Sequence, residues 1–446
     1  MKKYIKYIIL AIWFFIALRF IYIVFRMDTY NNFGFSYAIA KGQIPYKDFY
    51  LIVPLFSPFL YSVLLYFNHS IIVFYLEQIF LLLIFSYLLF KILDKKAWIV
   101  LFLLLCPFTL CFPFCLFPGY NFLILFELVL LLYLNHYKKN DMVIGFVAGL
   151  ALLTKQNIGI FIMLVTIIYP FFKNKRSSLI RFIFSLIPII IFVIYLLITN
   201  TFLNFIDLCF LGMKSFTNNL FIGPIWLMFF VLSLIIIIRQ FIKSKDKNIS
   251  YYYVMSYLPV VYPIFNDYHI GFFILFLIIV YLYNKPFELS DKTVIVLNIL
   301  IVVASVAYYF VSYEFFNRFQ IVNYNNMPLE FITKKNKKDY DYIIQHMKKH
   351  SNTSYIIDPS NVVALTVIQE AKLDHYFVLF RGNFGKNGED KIYQEFVDTH
   401  DRYFVVQKGE CNNQKSNQFI CKIPEEIEKK CDIAKELNNY IIYYKK

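Results

Sequence analysis

The sequence predicts a mostly α protein: a polytopic helical membrane domain of about 11–12 spans over residues 1–315, then a small soluble α/β domain over 325–446. Three observations carry this prediction. The 446-residue chain is 59% hydrophobic and only 16% charged, against about a quarter charged in a soluble domain. Apolar runs such as "IVFYLEQIFLLLIFSYLLF" and "LIIIIRQF" recur without a polar face. Many such windows reach the roughly 20 residues needed to cross a hydrocarbon core of about 30 Å. From about residue 325 the composition turns soluble.

Crossings are expected near 4–25, 70–91, 97–115, 120–137, 142–153, 157–172, 179–199, 220–241, 251–265, 268–284 and 293–313. The segment 54–67 is short, holds Pro54 and Pro58, and is read as re-entrant or interfacial. With it out of the count, the clusters at Lys95–Lys96, Lys138–Lys139, Lys173–Arg176 and Lys243–Lys247 all fall on the cytoplasmic side. The C-terminal region then emerges outside. The opening "MKKYIKYIILAIWFF" is followed by no small-residue cleavage site and reads as an uncleaved span with a cytoplasmic N-terminus. The net charge of +15 is accounted for by sidedness, not by nucleic acid. Gly145, Ala148 and Gly149 would let one short helix pack closely on a neighbour. The seven cysteines form neither a metal pattern nor a disulfide framework; Cys411 and Cys421 could pair, leaving Cys431 over.

In the soluble part, "DYDYIIQHMKKH" reads as a helix, "SYIIDPS" and "RYFVVQK" as strands, and "HYFVLFRGNFGKNGED" as a strand and glycine loop. Such alternation suggests an α/β unit. No low-complexity linker precedes it, so it is expected to sit against the membrane surface. The loop Gly382–Gly388 stands where a phosphate cradle can form. It matches neither a Walker A loop nor the dinucleotide fingerprint, and it reads first as a flexible turn.

The chemistry centres on residues 26–53, the first exterior loop. Asp28 can be the N-cap of a helix over 29–41, with Tyr30, Phe33, Tyr37 and Ala40 or Lys41 on one face, Gly42 as its C′ residue and Pro45 as its stop. It can equally be a general base held at the membrane boundary. Lys155, between two apolar segments, either snorkels to the interface or binds an anion. Arg26 either binds phosphate or pairs with Asp28. Arg19, mid-span, is either functional or paired with a structural partner such as Glu77. Asp267 and His269 share a short exterior turn. Tyr46 and Asp48 lie in the first loop as candidate substrate-binding residues, where Asp48 either supports the site as a carboxylate behind it or, as it reads first, closes a turn. Tyr120 and Asn121 either hydrogen-bond sugar hydroxyls or start a helix.

The acidic residue, helix, Gly42, "IPYKDF" and "PLFSPF" together resemble the first exterior loop of GT-C superfamily glycosyltransferases. The likeness is to the branch that uses polyprenyl-phosphate sugars, which includes protein mannosyltransferase-like and aminoarabinose transferase-like enzymes. It extends to "GLALLTKQNIGIF", "PGYNFLILFE" and "YPIFNDYHIGFF" and covers most of residues 1–285. The resemblance implies that Asp28 is catalytic, that Lys155 is the exterior lysine of the glycine-rich span, and that His269 is the exterior histidine. It implies transfer of a sugar from a polyprenyl-phosphate donor to an exterior acceptor hydroxyl, with inversion. Two positions depart from the family: Thr29 where many relatives have a second acidic residue, and Asn121 where relatives have an aspartate. Both reduce acidity. No cofactor is expected, and a divalent metal is possible but unsupported, since it needs oxygen ligands that are usually carboxylates. The expected partners are the lipid-linked donor, membrane lipid and a glycan, glycolipid or protein acceptor. A polysaccharide polymerase or ligase, a flippase of lipid-linked sugars and an inactive relative stand as alternatives.

Overall fold

The computed structural model describes residues 27–106, 119–212, 224–243, 248–262, 266–285, 287–317, 323–324, 327–328, 334–350, 354–358, 362–375, 379, 382–409 and 420–446. The crossing expected at 4–25, with Arg19 and Arg26, lies outside them. Most described residues are helical.

Helix α1, Met27–Ala40, ends as its sequence requires. Gly42 has φ +77°; its amide donates to the Ile39 carbonyl and the Gln43 amide to the Ala38 carbonyl, both at 2.9 Å. This Schellman ending needs a residue that tolerates the left-handed region. Phe33 and Tyr37, a turn apart, are fully buried. Helix α2, Phe56–Leu65, has ten residues, a length of about 15 Å, half of what a crossing needs.

The bundle follows. Helix α3, Ile71–Leu93, passes through a tight turn at Asp94–Lys96 into α4, Ala97–Leu105. Then come α5, Tyr120–His136; α6, Asp141–Thr154; α7, Gln156–Phe171; α8, Lys175–Ile198; and the short α9, Phe202–Ile206. It closes with α10, Pro224–Lys243; α11, Ile249–Tyr257; α12, Asp267–Asn284; and α13, Asp291–Asn317. Helices overlap every crossing expected beyond residue 70. Among the described residues three runs, Ile71–Leu105, Lys175–Ile198 and Pro224–Lys243, are long and apolar enough to cross a membrane. On α8 and α10 the apolar side chains point outward: Phe182, Ile190 and Leu197 are exposed, as are Leu227, Ile235 and Ile238. An apolar exterior of this extent suits lipid better than water.

Helix α6 lies backbone to backbone against α8. A Cβ on Gly145 would collide with the Arg181 carbonyl, and one on Gly149 with the Ser185 carbonyl. The small-residue spacing therefore has the use expected of it. Gly149→Leu is expected to destabilise the detergent-solubilised protein by about 2 kcal/mol or more, since the α8 backbone cannot yield to it; a thermal unfolding curve checks this. Arg181 ties the same helices at their far end. Its Nε donates to Asp141 Oδ1 at 2.7 Å and its Nη1 to Asn135 Oδ1 at 3.1 Å. The links 91–96, 137–141 and 282–291 meet at that end too. Lys96 Nζ donates to the Leu282 and Lys285 carbonyls, Lys95 pairs with Asp291, and the Tyr137 hydroxyl donates to the Lys91 carbonyl.

Beyond the bundle, a two-residue hairpin pairs β1, Asn323–Tyr324, with β2, Met327–Pro328. Helix α14, Lys334–Lys349, leads into a four-stranded sheet. Its strands are β3, Ser354–Ile357; β4, Arg402–Gln407; β5, Asp432–Glu436; and β6, Tyr440–Lys445, in the spatial order β3-β4-β6-β5. The pair β3 and β4 is parallel and the others are antiparallel. Helices α15, Val362–Ile368; α16, Gly388–Asp398; and α17, Lys422–Lys430 complete the unit. The helix and strands expected at 339–350, 354–360 and 402–408 are present, while the strand expected at 375–381 falls largely outside the described residues. The hairpin β5–β6 is an addition, its turn held by Asp339, which accepts from the Asn438 and Asn439 amides at 3.3 and 2.8 Å. Edge strand β5 is polar and fully exposed, which discourages further pairing.

This C-terminal unit and the first loop share one apolar core, which runs from Phe33, Tyr37 and Phe49 to Ile392 and Phe404. Every residue of α15 is buried, because the helix packs on α1 as well as within its own unit. Two side-chain bonds from Gln43 to the Leu373 backbone, both 2.9 Å, fasten the contact, as does the Tyr37 hydroxyl donating to the Ala371 carbonyl at 3.1 Å.

Candidate functional site

Helices α6 and α7 are separated by a single extended residue, Lys155, with φ −152° and ψ 105°. Its amide still donates to the Ala151 carbonyl, and its carbonyl accepts from the Gly159 amide at 2.8 Å. One residue thus closes one helix and opens the next. Four consecutive side chains there reach four different places. Thr154 donates to Glu127 of α5 at 2.7 Å. Lys155 donates to Asn121 Oδ1 at the start of α5, also at 2.7 Å. Gln156 donates to the Cys209 carbonyl at 2.7 Å. Asn157 donates to the Pro259 and Tyr262 carbonyls at 3.1 and 2.6 Å.

Lys155 is 6% exposed, and its ammonium stands 5.3 Å from the centre of the Tyr120 ring. Its described partners are that ring and the Asn121 amide oxygen. Asn121, also buried, turns its amide nitrogen to the Tyr268 hydroxyl at 3.1 Å. Next to Tyr268, His269 Nδ1 faces Asn266 Oδ1 at 2.8 Å. The same oxygen accepts from the His269 amide at 3.1 Å, so Asn266 is the N-cap of α12. Because that oxygen only accepts, the proton belongs on Nδ1 and the Nε2 lone pair is left as acceptor. The arrangement thus gathers a buried lysine, two tyrosine rings, an amide and an imidazole acceptor. A buried ammonium faced by a neutral amide and a ring favours an anion beside it.

No family model, curated protein or solved structure matches the chain. What the site can do therefore follows from its own chemistry.

Of the residues expected to act, Lys155, Tyr120, Asn121 and His269 come together here. Met27 is already helical, so Asp28 lies inside α1 and not at the cap expected for it. The side chain of Asp28 lies outside the described atoms, as does that of Asp267, the first residue of α12. Asn32, one turn after Asp28, bears on Gly119, where an added Cβ would stand 3.0 Å from the Asn32 amide nitrogen. Helix α1 therefore borders the start of α5, where Tyr120 and Asn121 stand.

Tyr46 and Asp48 are placed differently. Tyr46 is fully buried at φ 66°. Its hydroxyl donates to the Val53 carbonyl at 2.9 Å, its carbonyl accepts from Asn204, and its ring meets Phe205. Asp48 accepts from the Ile44 amide at 2.7 Å and closes the turn. The glycine loop turns toward an anion the protein itself supplies: the Lys386 amide donates to Asp207 Oδ1 at 3.0 Å. Among the described residues no group of three or more His, Cys, Asp or Glu side chains gathers as a metal would need.

Thr154, Gln156, Asn157 and Tyr268 are structural members of the site that motif reading passes over. The signal was present: "TKQN" is a four-residue polar run between two apolar helices, and each member needs a partner once water is excluded.

Proposed function

We propose that the chain is a multi-pass membrane glycosyltransferase that moves a sugar from a polyprenyl-phosphate donor to an acceptor hydroxyl on the exterior side. The observation that carries this reading is Lys155, a buried cation held by Asn121 and Tyr120 beside α1. In this reading Lys155 and Arg26 bind the donor phosphate, and the charge developing on that phosphate as it departs is met by a fixed cation. Asp28 takes the acceptor proton. Asn121, Tyr120 and His269 bind sugar hydroxyls, and attack opposite the phosphate inverts the anomeric centre. The basic links 91–96 and 137–141 lie at the end of the bundle opposite Lys155, which supports an exterior site. The C-terminal unit, packed on the first loop, then shares that side.

A panel of radiolabelled polyprenyl-phosphate sugars offered to membranes containing the protein tests the reading. Transfer from at least one donor into a membrane or exterior product is expected. Binding of donors without release of polyprenyl phosphate would reject it.

One observation favours a second reading, a flippase of lipid-linked sugars. Glu127 is 3% exposed, and its Oε2 has no hydrogen-bond partner among the described residues. Ionisable groups inside a helical bundle mark transport paths as well as catalytic sites. Movement of intact donor between leaflets of vesicles, with no sugar transfer, would select that reading.

A further inference from the structure

Besides the Gln43, Tyr37 and Lys41–Glu370 contacts, the first loop and the C-terminal unit meet at a polar cluster around His375. The Tyr50 ring stacks on the His375 ring, with centroids 4.6 Å apart and planes 23° from parallel. His375 Nδ1 faces Glu395 Oε2 at 3.1 Å, and Nε2 faces the Lys47 carbonyl at 3.2 Å. The Tyr50 hydroxyl donates to the other carboxylate oxygen of Glu395 at 2.7 Å. Lys391, a turn before Glu395, lies 4.9 Å from the centre of the Tyr50 ring, whose edge meets Phe384.

Both ring nitrogens of His375 therefore face oxygen atoms that only accept. A neutral imidazole has one N–H and would leave a lone pair against one of them; an imidazolium satisfies both. Its side chain and that of Glu395 are 33% and 30% exposed, so protons reach the cluster from solvent. We infer that this cluster is a pH-dependent clasp, closed by the His375 imidazolium between Glu395 and Lys47, which fastens the loop behind α1 to the C-terminal unit.

The charged and titratable groups around His375 agree with that polarity. Glu395 and Lys391 come from α16, Asp374 precedes it in the chain, and Tyr50 and Lys47 come from the loop. Burial by itself would lower the imidazole's pKa, but the Glu395 bond and charge, the Lys47 carbonyl and Asp374 together raise it above 6.5. Burial would raise Glu395, but the bonds from His375 and Tyr50, with Lys391, leave it below 4.5. The signs follow. The histidine's contribution is fully present below 6.5 and is lost as pH rises through the raised value. The carboxylate's is present above 4.5 and is lost as pH falls through the lowered value. The clasp is tightest between the two.

The inference concerns docking, and it stands whether or not the chain transfers sugar. Hydrogen exchange of the full chain in detergent, corrected for intrinsic rates, tests it on peptides covering 41–53. Protection is expected to be greatest between pH 4.5 and 6.5. By pH 8.5 it should fall roughly two- to five-fold, the range that a partly exposed ion pair supplies. His375→Phe keeps the stacking on Tyr50 and should remove the alkaline fall, and Glu395→Gln should remove the acid limb and shrink the alkaline one. Peptides of β4 and β6 report whether each variant is folded and should stay protected throughout. Equal protection of wild type at pH 5.5 and 8.5 overturns the clasp. So does an unchanged pH profile in His375→Phe, or a parallel loss in β4 and β6.

Discussion

Asp28→Asn is expected to lower the turnover of sugar transfer by about 10²- to 10⁴-fold, the usual contribution of a positioned general base. Donor binding should change little. The amide has the same shape as the carboxylate and cannot accept the acceptor's proton. Asp28 also lies within α1, where aspartate and asparagine have similar helix propensities, so the melting temperature should drop only slightly. Steady-state kinetics with donor varied, beside a melting curve, separate the two roles. A loss confined to turnover identifies the base. Unchanged turnover with a small fall in melting temperature returns Asp28 to a structural role in α1.

Lys155→Met is expected to weaken binding of polyprenyl phosphate by roughly 10- to 100-fold, the value of one or two charge-assisted hydrogen bonds lost. Methionine fills most of the same volume and brings no charge into the interior. Removing a buried ammonium relieves its desolvation, while Asn121 Oδ1 loses its donor at a cost of about 1–3 kcal/mol. The two effects oppose each other, so stability should move far less than affinity. Equilibrium binding of polyprenyl phosphate beside thermal unfolding checks this. Unchanged affinity with a clear loss of stability would make Lys155 a packing residue at the helix junction.

Parts of the molecule can be read from local sequence because local sequence determines them. The end of α1 is one case: Gly42 follows the last turn, Pro45 follows Gly42, and the backbone obeys both. The approach of α6 to α8 is another, since Gly145 and Gly149 announce a close neighbour without naming it. Identifying the neighbour takes contacts that no short window holds. The same limit applies to Tyr46, which stands in a loop motif as a substrate residue would, yet is buried through Phe205 and Asn204, far along the chain. For Lys155 the sequence suggests a cation between apolar segments. That its described partners are an amide and a ring, and not a carboxylate, belongs to the tertiary structure. The β5–β6 hairpin had a signal in Asn438–Asn439 between two alternating runs, but β5 is polar and exposed on both faces, so its half of the pattern is faint.

The bond between Gln43 and Leu373 spans 330 residues of chain. At a synthesis rate of 5–20 residues per second, the first loop would exist for roughly 15 to 70 seconds before the segment that covers it has been made. During that interval Phe33, Tyr37 and Phe49 have no C-terminal core to join. The end of α1 therefore acquires its final surroundings only after translation of the C-terminal unit. A ribosome stalled anywhere between the bundle and residue 373 would leave the early apolar surface uncovered, where quality-control proteases can recognise it.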